Sequence, residues 1–142
     1  MFVDQLALAC AVAFAAIALY VSFVEHPARL GLDDRAALAE WQPAYKGGAL
    51  FQGSLALLGG ALGFVSYALT SDWVWLLGSL VLLANWPYTL LVIKPVNDAL
   101  LAMEPEAPAE NARGLLTKWG RLHANRTVLG VVAAALFFWV AV

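Results

Sequence analysis

Few side chains in this sequence can do chemistry, and two of them sit one helical turn apart near its end. Trp119-Gly-Arg-Leu-His123-Ala-Asn-Arg126 runs straight into the apolar stretch Val128–Val142. Read as one helix at about 100° per residue, Leu116, Trp119, His123, Arg126 and Gly130 share one face. Lys118, Arg121 and Asn125 share the other, which reads as ordinary exposed surface. An imidazole beside a guanidinium suits proton abstraction. The base removes a proton and the cation holds the oxyanion that results. His123 or His26 is the candidate base, and Arg126, Asn85 and Tyr88 are the candidate oxyanion partners. Trp119, Gln52, Trp41 and Tyr45 are candidate substrate-binding residues.

Other chemistries are narrower. His26 and His123 with Glu25 could form a two-histidine, one-carboxylate set for a transition metal. Cys10 is the single cysteine, so neither an internal disulfide nor a multi-cysteine metal site can form. The sequence holds no Gly-rich phosphate loop, no Ser-His-Asp set and no Cys-x-x-Cys. The net charge of −2 says nothing about partners, and with no basic tract in the sequence none is expected to be nucleic acid.

These polar groups must be positioned by greasy helices. Of 142 residues, 63% are hydrophobic and 13% charged, far from the balance of a soluble domain. Leu6–Val24, Ala49–Ala68 and Trp73–Ile93 are each near the length of about 20 residues that crosses a bilayer. Val128–Val142 reaches that length only if its helix begins at or before Arg126. The expected fold is therefore all-α and integral to the membrane: one domain, an antiparallel bundle of four transmembrane helices at about 4–25, 49–70, 72–94 and 112–142. Near Met1 the only charge is Asp4, so the basic leader of a signal peptide is missing. All eight basic residues fall in the first and third connections. The positive-inside rule then places both termini outside the cytoplasm, in what is expected to be a bacterial plasma membrane, with the polar cluster on the cytoplasmic side.

Local signals refine the spans. Pro27 disfavours helix at His26, so the first span is expected to end or kink there. Ala11, Ala15, Ala18, Ser22 and His26 form a strip of small residues ending in an imidazole. Asp33 can cap a short interfacial helix over 34–42, with Leu38, Trp41 and Tyr45 at headgroup depth. Gln52, Ala56, Gly59, Gly63 and Ser66 make a small and polar stripe, and Gly59-x-x-x-Gly63 is a helix-packing pattern. Thr70-Ser71-Asp72 is a tight turn, and Ser71 or Asp72 caps the third span. Pro87 frees a carbonyl about one turn earlier, which needs another partner. Pro95 ends that span and a second interfacial helix follows at 98–103. Glu104–Asn111, acidic with two prolines, is the clear loop.

Five segments together resemble a known family. They are Val24-Glu-His-Pro-Ala-Arg-Leu30, Trp41-x-x-x-Tyr45, Asn85-Trp-Pro-Tyr-Thr89, Ile93-Lys-Pro-Val-Asn97 and Trp119-x-x-x-His123-x-x-Arg126. They resemble the small four-helix membrane family that includes the fungal anthrone oxygenases, over nearly the whole chain. Pro95, Asn97 and Arg126 match its pattern most directly, and His26 and His123 match by position in similar segments. Asn97 joins the substrate-binding candidates on this ground.

The resemblance implies oxidation of an anthrone, or a similar activated polycyclic phenol, to a quinone by molecular oxygen. It implies no added cofactor. The implied partners are a small lipophilic aromatic, O2 and the lipid bilayer. Two other readings compete. One is a non-catalytic ligand-binding or accessory protein whose polar cluster serves a ligand or a partner helix, including a homo-oligomer. The other is a metalloenzyme built on the two histidines. The helix-face assignment yields a direct test. Oxygen uptake with anthrone is expected to collapse in Arg126→Ala and to persist in Arg121→Ala; an Arg121 variant as damaged as Arg126 contradicts the assignment.

Overall fold

The computed structural model describes residues 2–142. All regular structure among them is helical, and four spans are long and apolar enough to cross a membrane: Phe2–Leu30, Asp34–Thr70, Trp73–Leu101 and Ala112–Ala141. The first packs on the second and fourth, and the third also packs on the second and fourth, so the spans form a four-membered ring. The expected caps are present. Asp33 accepts from the Ala36 amide at 2.9 Å and Asp72 from the Val74 amide at 3.0 Å. Between them in sequence, Ser71 closes the second span in the left-handed region (φ 58°). Residues 102–111 carry no regular helix, as the acidic proline-rich stretch predicts.

The prolines act differently from expectation. Pro27 does not end the first span. The helix widens to a π-helix over Val21–Glu25 and then continues through Pro27 to Leu30. The third span repeats the device, with a π-helix over Thr89–Ile93 just before Pro95. The wider turn gives room to a pyrrolidine ring that would otherwise meet the carbonyl four residues earlier. Consequently 94–101 continues the third span, and no separate interfacial helix occupies 98–103. The second span likewise runs unbroken through Pro43, so the expected helix at 34–42 is its first part.

That continuity moves Leu38 and Trp41 from the headgroup region into the protein, where each is fully buried. They pack with Ile93, Val96, Leu100, Leu116 and Trp119 in one hydrophobic cluster. A second cluster gathers Ala7, Ala11, Phe14, Ala18, Ala56, Trp75, Leu82, Ala133 and Phe137. On the second, third and fourth spans the site-forming polar residues lie, in sequence, between those two sets, and on the first Ser22 lies between Ala18 and the partly buried Leu30, which packs on the Trp41 cluster. Ser22, Gln52, Asn85, His123, Arg126 and Thr127 therefore form a polar layer between two apolar ones.

A partly exposed ion pair and helix-end contacts secure the end that holds Trp41. Arg113 donates to the Leu30 carbonyl at 2.6 Å and also to that of Leu32, and it pairs with Asp34 at 2.7 Å. Gln42 donates to the carbonyls of Leu100 (3.1 Å) and Met103 (2.8 Å), which end the third span.

Close approach in the other cluster depends on glycine. A Cβ on Gly63 would lie 2.2 Å from Ser79 Oγ and 2.6 Å from the Phe137 ring, whereas one on Gly47 would meet nothing within 4 Å. Gly63→Ala is expected to lower stability by about 1–3 kcal/mol through overpacking. Gly47→Ala is expected to be neutral or to stabilise by up to about 1 kcal/mol, because alanine is the better helix former. Unfolding of both variants in detergent micelles measures the contrast.

Candidate active site

Arg126 occupies the centre of the polar layer. It is 7% exposed, its Nε is sealed from solvent, and no described residue forms a hydrogen bond or ion pair with its guanidinium. The Phe14 ring centroid lies 5.6 Å from the guanidinium carbon. The other buried cation, Arg29, contrasts with it. Arg29 pairs with both Glu25 and Glu40 and donates to His26 Nδ1 at 2.9 Å. An ion pair between Arg126 and Glu25, the structural alternative that the sequence allows, does not form.

Two cavities meet at Arg126. The larger, about 180 Å³, lies between the second and third spans and is lined by Tyr45, Ala49, Gly53, Ala56, Asn85, Trp86, Thr89, Leu90 and Arg126. The smaller, about 20 Å³, is lined in part by Glu25, Arg29, Tyr45, Gln52, Trp119, His123 and Arg126. Tyr45, Ala49 and Arg126 border both. Around these spaces, Gln52 Nε2, Asn85 Oδ1 and Thr89 Oγ1 are buried with no protein partner. Buried polar groups are rarely left so, and four orphans around one pair of cavities mark a place prepared for a ligand.

His123 is 2% exposed. Its Nδ1 lies 3.2 Å from Ser22 Oγ, which lies 2.8 Å from Thr127 Oγ1, and Thr127 Oγ1 lies 3.2 Å from the Ala18 carbonyl. This chain can run in either direction: with Thr127 donating to Ala18, Ser22 donates to Thr127 and accepts from a protonated Nδ1; with Thr127 donating to Ser22, Ser22 donates to Nδ1. Nε2 has no protein partner in either direction, and the first leaves it the lone pair that a base needs. The π-helix over Val21–Glu25 is the local device that presents Ser22.

The other predicted residues separate into distinct positions. His26 has both ring nitrogens engaged, one by Arg29 and the other with the Leu116 carbonyl at 2.9 Å, and its ring lies 5.1 Å from that of Trp119. It borders neither cavity, because a Cβ on Gly120 would already collide with it and the glycine lets it lie flat against the fourth span. Tyr88 also falls outside. Its hydroxyl donates to the Leu122 carbonyl and accepts from Asn125 Nδ2, both at 2.9 Å, so its polar end is spent on the fourth span. Asn85 lines the larger cavity, and its Nδ2 donates to the Leu82 carbonyl, in the turn before Pro87. Trp41 backs the site rather than lining it, stacked on Tyr45 at 4.9 Å and edge-on to Trp119 at 5.8 Å. Asn97 lies behind Tyr45, linked to it and to Trp119.

The proposed metal set does not converge: Glu25 is committed to Arg29, and no group of three His, Cys, Asp or Glu side chains comes together among the described residues. Ser22, Thr127 and Thr89 were not singled out as site residues from sequence. Thr127 was the accessible one, four residues from His123 on the same face.

The anthrone oxygenase family model matches residues 41–136, more than half of the chain. The chain belongs to that family. An anthrone oxygenase of Claviceps purpurea (strain 20.1) is 41% identical over 64 residues, which cover 39% of this chain and 37% of that protein. The match thus spans little more than a third of the fungal protein's length. No solved structure matches. The region matched by the family model holds Tyr45, Gln52, Asn85, Asn97, His123 and Arg126. Ser22 and His26 precede it.

The two buried arginines should respond oppositely to replacement by methionine, which keeps their apolar length. Arg126→Met removes an unpaired charge and is expected to leave stability unchanged or raise it by up to about 2 kcal/mol. Arg29→Met strands two carboxylates and is expected to cost about 2 kcal/mol, since both are partly exposed and retain some hydration. Denaturation of the two variants in matched micelles checks the sign.

Proposed function

We propose that this protein oxidises a lipophilic activated aromatic of the anthrone type to the corresponding quinone, using molecular oxygen and no added cofactor. The observation that carries the reading is the buried, unpaired Arg126 at the junction of two cavities, on the same helix face as a histidine whose Nε2 is free. A guanidinium held without a counter-charge favours any ligand that becomes anionic beside it. Its stabilisation grows as the charge develops, which is the condition for accelerating the step.

The flat rings fit against the small side of the second span, at Ala49, Gly53 and Ala56, facing Trp86 and Leu90. Arg126 and the amide of Gln52 hold the oxygen that becomes the oxyanion. His123 Nε2 takes a proton from the methylene carbon across the ring. The anion is aromatic and electron-rich, and it transfers electrons to O2 directly. Over the whole reaction two C–H bonds and the O–O bond break, and one C=O bond forms. One oxygen atom enters the quinone, and the other leaves as water with both methylene protons. Four electrons pass from substrate to O2. The imidazole returns each proton it takes, so no proton need enter from outside.

A bilayer setting suits such a substrate, which partitions into hydrocarbon. By the distribution of basic residues, the bundle lies antiparallel in the plasma membrane of a bacterium, with both termini outside and the site toward the cytoplasm. Purified protein with anthrone is expected to consume one O2 per anthrone, to place one atom of labelled dioxygen in the quinone, and to keep its rate after chelation. His123→Ala is expected to lower that rate by a factor on the order of a thousand. Uptake lost on chelation and restored by a metal salt instead assigns the reaction to a metal centre, and binding without uptake assigns the cavity to a carrier role.

A further inference from the structure

Tyr45 and Asn97 form a second donor chain that the reaction just described does not use. The indole Nε1–H of Trp119 can only donate, and it donates to Asn97 Oδ1 at 2.9 Å. That contact fixes the amide. Asn97 is 1% exposed, and its Nδ2 is turned to Tyr45, donating to the phenol oxygen at 3.0 Å. Tyr45 is therefore an acceptor in the chain, and its own proton must go elsewhere. No described residue accepts it. Arg126, its neighbour at both cavities, has no lone pair to offer. The ring cannot turn away freely, because it is stacked on Trp41 with an interplanar angle of 9°.

We infer that Tyr45 is a catalytic hydrogen-bond donor to the ligand oxygen that Arg126 binds, and that Asn97 is the residue that aims it, by occupying the phenol's acceptor side and leaving its proton for the cavity. This rests on the proposed oxidation for its kinetic consequence but not for its geometry. A phenol that already accepts a hydrogen bond from an amide is a better donor, since chained hydrogen bonds polarise one another. Together the phenol and the guanidinium give the oxyanion donors from two side chains, one neutral and one charged. Asn97, expected from the sequence to touch substrate, acts through Tyr45 as a positioning residue.

The test reverses the direction of the chain. Asn97→Asp offers acceptors to both neighbours, so Tyr45 would donate to the carboxylate and withdraw its proton from the cavity. Tyr45→Phe removes the proton and keeps the ring. With anthrone, both are expected to lose on the order of a hundredfold in kcat with KM within about twofold, and the double variant is expected to be no slower than either. Independent packing roles would instead give losses that multiply.

A second measurement needs no turnover and no Asn97 variant. The infrared C–O band of Tyr45, isolated by subtracting the Tyr45→Phe spectrum, is expected to shift on adding anthraquinone, as the quinone carbonyl becomes the acceptor of the phenol proton. Full activity in Tyr45→Phe, or a band unmoved by anthraquinone, overturns the inference. If the wild-type protein fails to oxidise anthrone, the oxidation reading falls while the infrared result still decides the donor chain.

Discussion

A guanidinium buried among apolar helices without a carboxylate is the constraint around which this molecule is arranged. Its desolvation costs several kcal/mol even after relaxation. The same bundle shows the ordinary remedy twice: Arg29 takes two glutamates and Arg113 takes Asp34 together with two carbonyls. Arg126 receives neither. It has an aromatic ring on one side and empty space on the other. A sequence that pairs its other buried cation, Arg29, yet leaves this one alone has retained an unfavourable group, as binding and catalytic sites commonly do.

The surrounding structure keeps that space polar at its edge and fixed in direction. Two hydrogen-bond chains approach it, each starting from a group that can only donate or accept in one sense. From the first span, Ala18 and Ser22 reach His123 Nδ1 by way of Thr127. From the opposite side, the Trp119 indole sets Asn97 and then Tyr45. One chain holds the imidazole with its Nε2 unpartnered, and the other directs a proton. Both depend on the aromatic cluster of Trp41, Tyr45, Trp119 and His123, whose ring centroids lie 4.9–5.8 Å apart. The two π-helices, each just before a proline, supply Ser22 and Thr89 at the same level of the bundle.

Much of this was readable from residue order. Helical period alone put Leu116, Trp119, His123, Arg126 and Gly130 on one face, and all five are buried, while Arg121 and Asn125 are exposed. The caps at Asp33 and Asp72 followed from side-chain chemistry at apolar boundaries. What failed was geometry that local period does not carry. At about 100° per residue Asn85, Tyr88 and Thr89 share a face; Asn85 and Thr89 do line one cavity, but Tyr88 bonds to the fourth span instead. Proline rules predicted an end or a kink at 27 and an end at 95, yet the helix continues past both, each after a wider turn. Choosing between His26 and His123 required knowing what each nitrogen touches. Gly120 and Arg29, not any motif, commit His26 to the scaffold. The aromatic pair Trp41 and Tyr45 was indistinguishable in sequence from a membrane-interface belt until the third and fourth spans were seen to extend alongside it.

The most direct trial of the account is an experimental structure of the protein in lipid nanodiscs with bound anthraquinone. The account predicts a flat ligand between the second and third spans, with a carbonyl oxygen at hydrogen-bond distance from both Arg126 and the Tyr45 hydroxyl. Density for the ligand in the apolar groove beside Leu19, Phe23 and Val128, with the space at Arg126 filled only by water, would contradict it.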